Sequence, residues 1–116
     1  MTHKDLDVWK LSIDLVLKVY QCTKTIPTEE KFGLISQMKR SAVSVPSNIA
    51  EGAGRSSTKE FIRFLDIANG SLSELETQLI IAQKLNYSET EDLVINELTV
   101  IRKMLYRLKE SLRKKL

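Results

Sequence analysis

The side chains best suited to chemistry in this chain are cations. From Leu98 to the end stand Arg102, Lys103, Arg107, Lys109, Arg113, Lys114 and Lys115, against one acid, Glu110. That segment carries +6 in a chain of net charge +3, so residues 1–97 sum to −3. A basic tail on a mildly acidic body points to an anionic partner, RNA or DNA above all. Tyr106 is the one aromatic within the segment that could stack on a base. Contact would then be mainly backbone electrostatics, without sequence readout. The bland reading of the same cluster is a solvated helix end. Two further arginines, Arg40 and Arg55, bracket a run of small residues. On one reading both touch phosphate, which the planar guanidinium fork suits. On the other, Arg55 pairs with Glu51 at i,i+4, and Arg40 with an acid on another helix or subunit.

Other chemistry is hard to build from these residues. His3 is the only histidine and Cys22 the only cysteine, too few for a Cys/His zinc site. Di-iron bundles need Glu-x-x-His pairs, and phosphotransfer bundles need a histidine within a helix. Gly52-Ala53-Gly54 lacks the strand and lysine of a phosphate-cradling loop. Glu74 and Glu76, two apart on a helix, face different directions. Cys22 lies among apolar residues and reads as a buried structural thiol. No catalytic residue, metal site or cofactor is expected, and the chain is not expected to be an enzyme. A site assembled between subunits is the one enzymatic reading left open.

Four helices position these residues. A chain of 116 residues suits one domain, 1–116, with a modest core. No run is long and apolar enough for a membrane span. The start, Met1-Thr-His-Lys-Asp-Leu-Asp7, lacks an apolar signal core, which predicts a cytoplasmic protein. The first helix is expected from about Asp5, its N-cap, to Thr25. Asp7, Lys10, Asp14, Lys18 and Gln21 form a narrow polar stripe. Nearly everything else on that helix is apolar, so it should be covered from two sides.

Thr28 is expected to cap a second helix running from about Glu29 to Ala53. Its inner line is Phe32, Ile35, Met38, Ala42, Val45 and Ile49. Pro46 falls inside it, and its missing N–H and bulky ring should kink it. The alternative, a helix that stops near Ser44 and restarts after Pro46, is less favoured because the apolar spacing stays in phase across the proline. Ser41, Ala42, Ser44, Ser47 and Ala50 would let a neighbouring backbone come close. Asn48 in that run could fix packing register through a buried hydrogen bond. Gly52 and Gly54 offer left-handed positions for the helix end.

Ser57-Thr-Lys-Glu60 is a capping box opening a third helix to about Leu85. Its seam is Phe61, Leu65, Ala68, Leu72, Leu75, Leu79 and Ala82. Gly70 within that helix suggests a close crossing, since it costs about 1 kcal/mol relative to alanine. A second box, Ser88-Glu-Thr-Glu91, opens the fourth helix, with the seam Val94, Leu98, Ile101, Leu105, Leu108 and Leu112. Short connections favour an antiparallel up-down-up-down bundle. Trp9 and Phe61 read as core.

These residues also carry a family resemblance. Asp5-Leu-Asp-Val-Trp-Lys10, Gly33-Leu34, Gln37, Arg40 and Ala42-Val-Ser-Val-Pro-Ser-Asn-Ile-Ala-Glu-Gly52 are its first part. Gly54-Arg55, Phe61, Phe64-Leu65, Ala68, Gly70-Ser-Leu72 and Glu74-Leu-Glu76 continue it. Over roughly residues 5–87 the chain resembles the four-helix-bundle proteins encoded in intervening sequences of bacterial 23S ribosomal RNA genes. The fourth helix matches in type alone. The resemblance implies an antiparallel four-helix bundle in a ring-like homopentamer, with no catalytic residues; the residues themselves offer Trp9, Pro46, Asn48, Glu51 and Gly52 as packing or oligomer-interface candidates. The resemblance extends distantly to the accessory variability proteins of diversity-generating retroelements, basic pentamers thought to bind nucleic acid and a reverse transcriptase. The sequence-level expectation is therefore a non-enzymatic oligomeric scaffold or accessory protein contacting nucleic acid through Arg102, Lys103, Arg107, Lys109, Arg113 and Lys114. The alternative is an adaptor for a partner protein, its charge serving solubility.

Overall fold

In the computed structural model, which describes residues 2–116, four helices hold one apolar seam each against a shared core. They are α1 (Asp7–Thr23), α2 (Leu34–Ala53), α3 (Thr58–Lys84) and α4 (Thr99–Arg113). At 1.5 Å per residue the 27 residues of α3 account for most of the 46 Å long axis. Leu15, Val19, Met38, Ala42, Val45, Ile49, Leu65, Leu72, Leu75, Leu79 and Leu105 are fully buried, the seams that the 4-3 spacing predicts. Among the described residues no helix is long and apolar enough to cross a membrane.

The helix starts depart from the sequence expectations in instructive ways. Asp5 does not cap α1. It closes a capping box on Thr2 around a short 3₁₀ turn, His3–Asp5, and α1 begins after Leu6. Thr28 likewise opens a 3₁₀ turn, Thr28–Glu30, instead of the second helix. α2 starts at Leu34, whose N–H donates to Glu30 Oε1 at 3.3 Å. The delay removes Phe32 from the inner line: it is 90% exposed. α2 then runs unbroken through Pro46 to Ala53. At α3, Ser57 Oγ accepts from the Glu60 N–H at 3.0 Å. The Glu60 carboxylate turns to Arg63 and does not reach back.

The fourth helix is entered through a π-helical turn, Leu93–Leu98. Ser88 does not cap it. Gln83 Oε1, from the last turn of α3, accepts the N–H groups of Thr90 (2.6 Å) and Glu91 (3.3 Å). Thr90 Oγ1 donates to Leu79 O at 2.6 Å. The wide turn brings Leu93 and Leu98, five apart, into the core and leaves Val94 at its edge. α3 ends in a Schellman turn: Tyr87 N–H donates to Ala82 O and Asn86 N–H to Gln83 O. Asn86 takes the left-handed position, φ 59°, a conformation asparagine tolerates.

The small residues of α2 serve contact with α3 in the same chain. Ser41 Oγ donates to Gln78 Oε1 at 2.6 Å, and the hydroxyls of Ser44 and Ser71 lie 2.7 Å apart. Gly52 is buried inside the helix, beneath Phe61 and Phe64. Neither it nor Gly54 adopts a positive φ, so the left-handed reading of both fails and close approach explains Gly52 instead. At Gly70 the expectation of a close crossing also fails. It is exposed, and among the described residues nothing beyond its own turn of helix lies within 4 Å of where a Cβ would stand. Gly70→Ala should therefore stabilise the protein by about 1 kcal/mol through helix propensity alone. Denaturant titration checks this, and a loss of stability would mean that a neighbouring subunit occupies the space.

Candidate nucleic-acid interface

Two adjacent stripes of α4 divide its basic residues. Ile101, Leu105 and Leu112 are buried, which fixes the helix rotation and sends Arg102, Lys109 and Arg113 to one flank. Arg102 donates to Glu76 Oε1 (3.0 Å), Ser73 Oγ (3.0 Å) and Asn69 Oδ1 (3.3 Å) on α3. Lys109 Nζ lies 2.8 Å from Asp66 Oδ1, its side chain only 14% exposed. Arg113 pairs with Glu110 on its own helix. These cations clamp α4 to α3 or neutralise a neighbour.

Lys103 and Arg107, with Lys114 at the C-cap just past the helix, follow at i, i+4 and i+11, which keeps them on a second, outward stripe. All are exposed, and none has an acidic partner within ion-pair distance among the described residues. Tyr106 stands beside them, and Arg102, Lys103, Tyr106 and Arg107 line one shallow depression. Spacing alone sorts these residues into two stripes, because residues one apart differ by about 100° around a helix, but it does not say which stripe is engaged. The acids that engage the first stripe, Glu76 and Asp66, lie on another helix and gave no local signal.

Arg40 and Arg55 are not brought to this stripe. Both sit on or just after α2, which packs on α1 and α3, whereas α4 packs on α3 and α1. Arg40 is exposed. Arg55 lies 3.5 Å from Glu51 Oε1 and 4.9 Å over the ring of Phe64, which Arg63 also faces. Its surroundings match the ion-pair reading, a contact worth little in itself at such exposure.

The expected packing residues separate similarly. Pro46 and Gly52 are buried within the chain, Glu51 is exposed, and Trp9 is half-buried with its ring edge-on to His3 at 5.2 Å. Asn48 Nδ2 donates to the carbonyl and hydroxyl of Ser44 at 2.8 and 2.9 Å, holding its own helix. Between α1 and α2 runs a groove lined by Trp9, Ile13, Val16, Val43, Pro46 and Ala50 among others. Leu17 beyond it is 64% exposed. One side of α1 is thus covered by the bundle, and the other carries its polar stripe beside an apolar edge on which Leu17 and Tyr20 stay exposed.

A second groove gathers Lys18, Cys22, Tyr87, Ser88 and Leu93. Burial pushes the Cys22 thiol above its ordinary range, against a smaller opposing hydrogen bond from Ser88. That is the opposite of activation, since a nucleophilic cysteine needs a lowered pKa. Lys18, 2.6 Å from Glu97, is raised by that hydrogen bond and ties α1 to the π turn.

A model of the family described as 23S rRNA-intervening sequence protein matches residues 4–107. The match runs past the end of α3 and includes Arg102, Lys103 and Arg107, so it reaches further than the resemblance over residues 5–87. No curated protein matches the chain.

Proposed function

Because the chain belongs to the 23S rRNA-intervening sequence protein family, we propose that it is a non-enzymatic, ring-forming helical bundle that associates with nucleic acid through the outward stripe of α4. The observation that carries this reading is the division of the basic residues. The fold ties Arg102 and Lys109 to acids of α3 and leaves Lys103, Arg107 and Lys114 unpaired and in line. Unpaired cations in a row are what a phosphate backbone requires.

The bundle is taken to be antiparallel. Contacts Ser41–Gln78, Ser44–Ser71 and Gly52–Phe64 descend along α3 as they ascend α2, and Lys109–Asp66 against Arg102–Glu76 repeats the pattern on α4. The apolar edge of α1, with Leu17 and Tyr20, supplies a face for a second copy, in keeping with the pentamer the resemblance implies. A non-enzymatic role is supported by how the scarce reactive groups are used: His3 packs on Trp9, and burial pushes the Cys22 thiol upward, away from activation. Phe32, fully displayed, favours the second reading, an adaptor for a partner protein.

Light scattering with RNA or DNA across a salt series tests the proposal. A pentamer of about 66 kDa, five chains of 13.3 kDa, should gain mass with nucleic acid at low salt and lose it as salt rises. A particle indifferent to nucleic acid at every salt would favour the adaptor. A clean monomer would overturn the ring.

A further inference from the structure

We propose that the nucleic acid on α4 is single-stranded and that an unpaired base stacks on Tyr106, an inference that rests on the reading of the basic stripe above. Tyr106 is 60% exposed and shares its depression with Arg102, Lys103 and Arg107. An isolated surface aromatic needs no explanation. This one has three cations within a turn of it. Arg102, held by Asn69, Ser73 and Glu76, is a fixed wall of the depression, while Lys103 and Arg107 remain unpaired. A ring flanked by cations is the arrangement that binds a backbone and stacks the base attached to it.

Duplex DNA is the competing occupant, and the way α4 is seated argues against it. A helix reads the major groove by entering a cleft about 8.5 Å deep. α4 lies flush with the bundle, with Ile101, Leu105 and Leu112 buried and the Arg102 and Lys109 flank bonded to α3. Its exposed face, from Tyr106 through Lys103 and Arg107 to Ser111, stays backed by α3 along its length, so the helix does not stand clear of the bundle to enter a groove. Double-stranded RNA offers a major groove that side chains cannot read. In either duplex the base faces are covered by their neighbours. A single strand presents both phosphate and an open π face, which are the two things this surface can bind.

Fluorescence anisotropy with labelled mixed-sequence oligonucleotides of about 16 residues, single-stranded and as blunt duplexes, in both RNA and DNA, tests the inference. The native chain should prefer the single strands. Tyr106→Leu should weaken single-strand binding about five- to hundredfold and leave duplex binding unchanged, while Tyr106→Phe, which keeps the π face, should stay within about twofold. Equal losses on single strands and duplexes, no loss at all, or a native preference for duplex would overturn the inference. A duplex preference abolished by Lys103→Gln with Arg107→Gln would leave the basic stripe standing. No binding by the native chain to any of these probes would remove both.

Discussion

Replacing Gly52 by valine is expected to destabilise this protein by about 3 kcal/mol. A Cβ at Gly52 would stand 2.7 Å from Phe64 Cβ, 2.9 Å from Phe61 Cδ1 and 3.2 Å from the Phe61 carbonyl oxygen. Phe64 Cβ and the carbonyl are fixed to the α3 backbone and cannot rotate away. The two helices must separate, and separation loosens Ile49 and Leu65, both fully buried. Gly52→Ala should therefore destabilise by about 1–2 kcal/mol, although alanine is the better helix former by about 1 kcal/mol. The same substitution at Gly70 should act with the opposite sign, because among the described residues nothing beyond its own turn of helix stands near that position. Denaturant midpoints for Gly52→Ala, Gly52→Val and Gly70→Ala make the comparison internal. If Gly52→Ala equalled or exceeded the native stability, the close contact of α2 and α3 would be wrong.

That pair of glycines also shows what the sequence could reveal. Both lie inside helical patterns, and propensity treats them alike. Only the rotation of each helix in the assembled bundle says which one is crowded. The seams of α2 and α3 were legible because Met38, Ala42, Val45 and Ile49, and Leu65 to Ala82, repeat every three or four residues without interruption. Phe32 was misplaced because the capping signal at Thr28 is real but opens a 3₁₀ turn, with Glu30 capping the true helix start. The start of the fourth helix was hidden for a different reason. Its N–H groups are satisfied by Gln83, across a connection, and the π turn inserts one residue between Leu93 and Leu98. At the candidate site, the cluster of cations was legible as composition. Its division into engaged and free residues needed the positions of Asp66 and Glu76.

Two triple variants, each replacing three cations by glutamine, should behave differently despite the same change in charge. Lys103, Arg107 and Lys114 form the free stripe, and their replacement should lower affinity for nucleic acid about hundredfold at low salt. It should also flatten the salt dependence, since each lost phosphate contact on a single strand removes about 0.7 from the slope of log K against log salt. For three contacts the change is about 2. Arg102, Lys109 and Arg113 are already engaged by Glu76, Asp66 and Glu110. Their replacement should alter affinity by about threefold at most, through long-range charge alone, which salt screens. It should instead cost stability, because the flank of α4 loses its bonds to α3. Lys109, the least exposed of the three, should contribute most to that loss.

The binding slopes of these two variants beside the native chain, measured on one oligonucleotide over one salt series, separate contact by the outward stripe from an effect of net charge. The expected result is a slope reduced by about 2 for the Lys103, Arg107 and Lys114 variant and nearly native for its counterpart. Equal slopes for the two variants would show that net charge, and not the outward stripe of α4, holds the nucleic acid. Phosphate contact could then not be assigned to Lys103, Arg107 and Lys114.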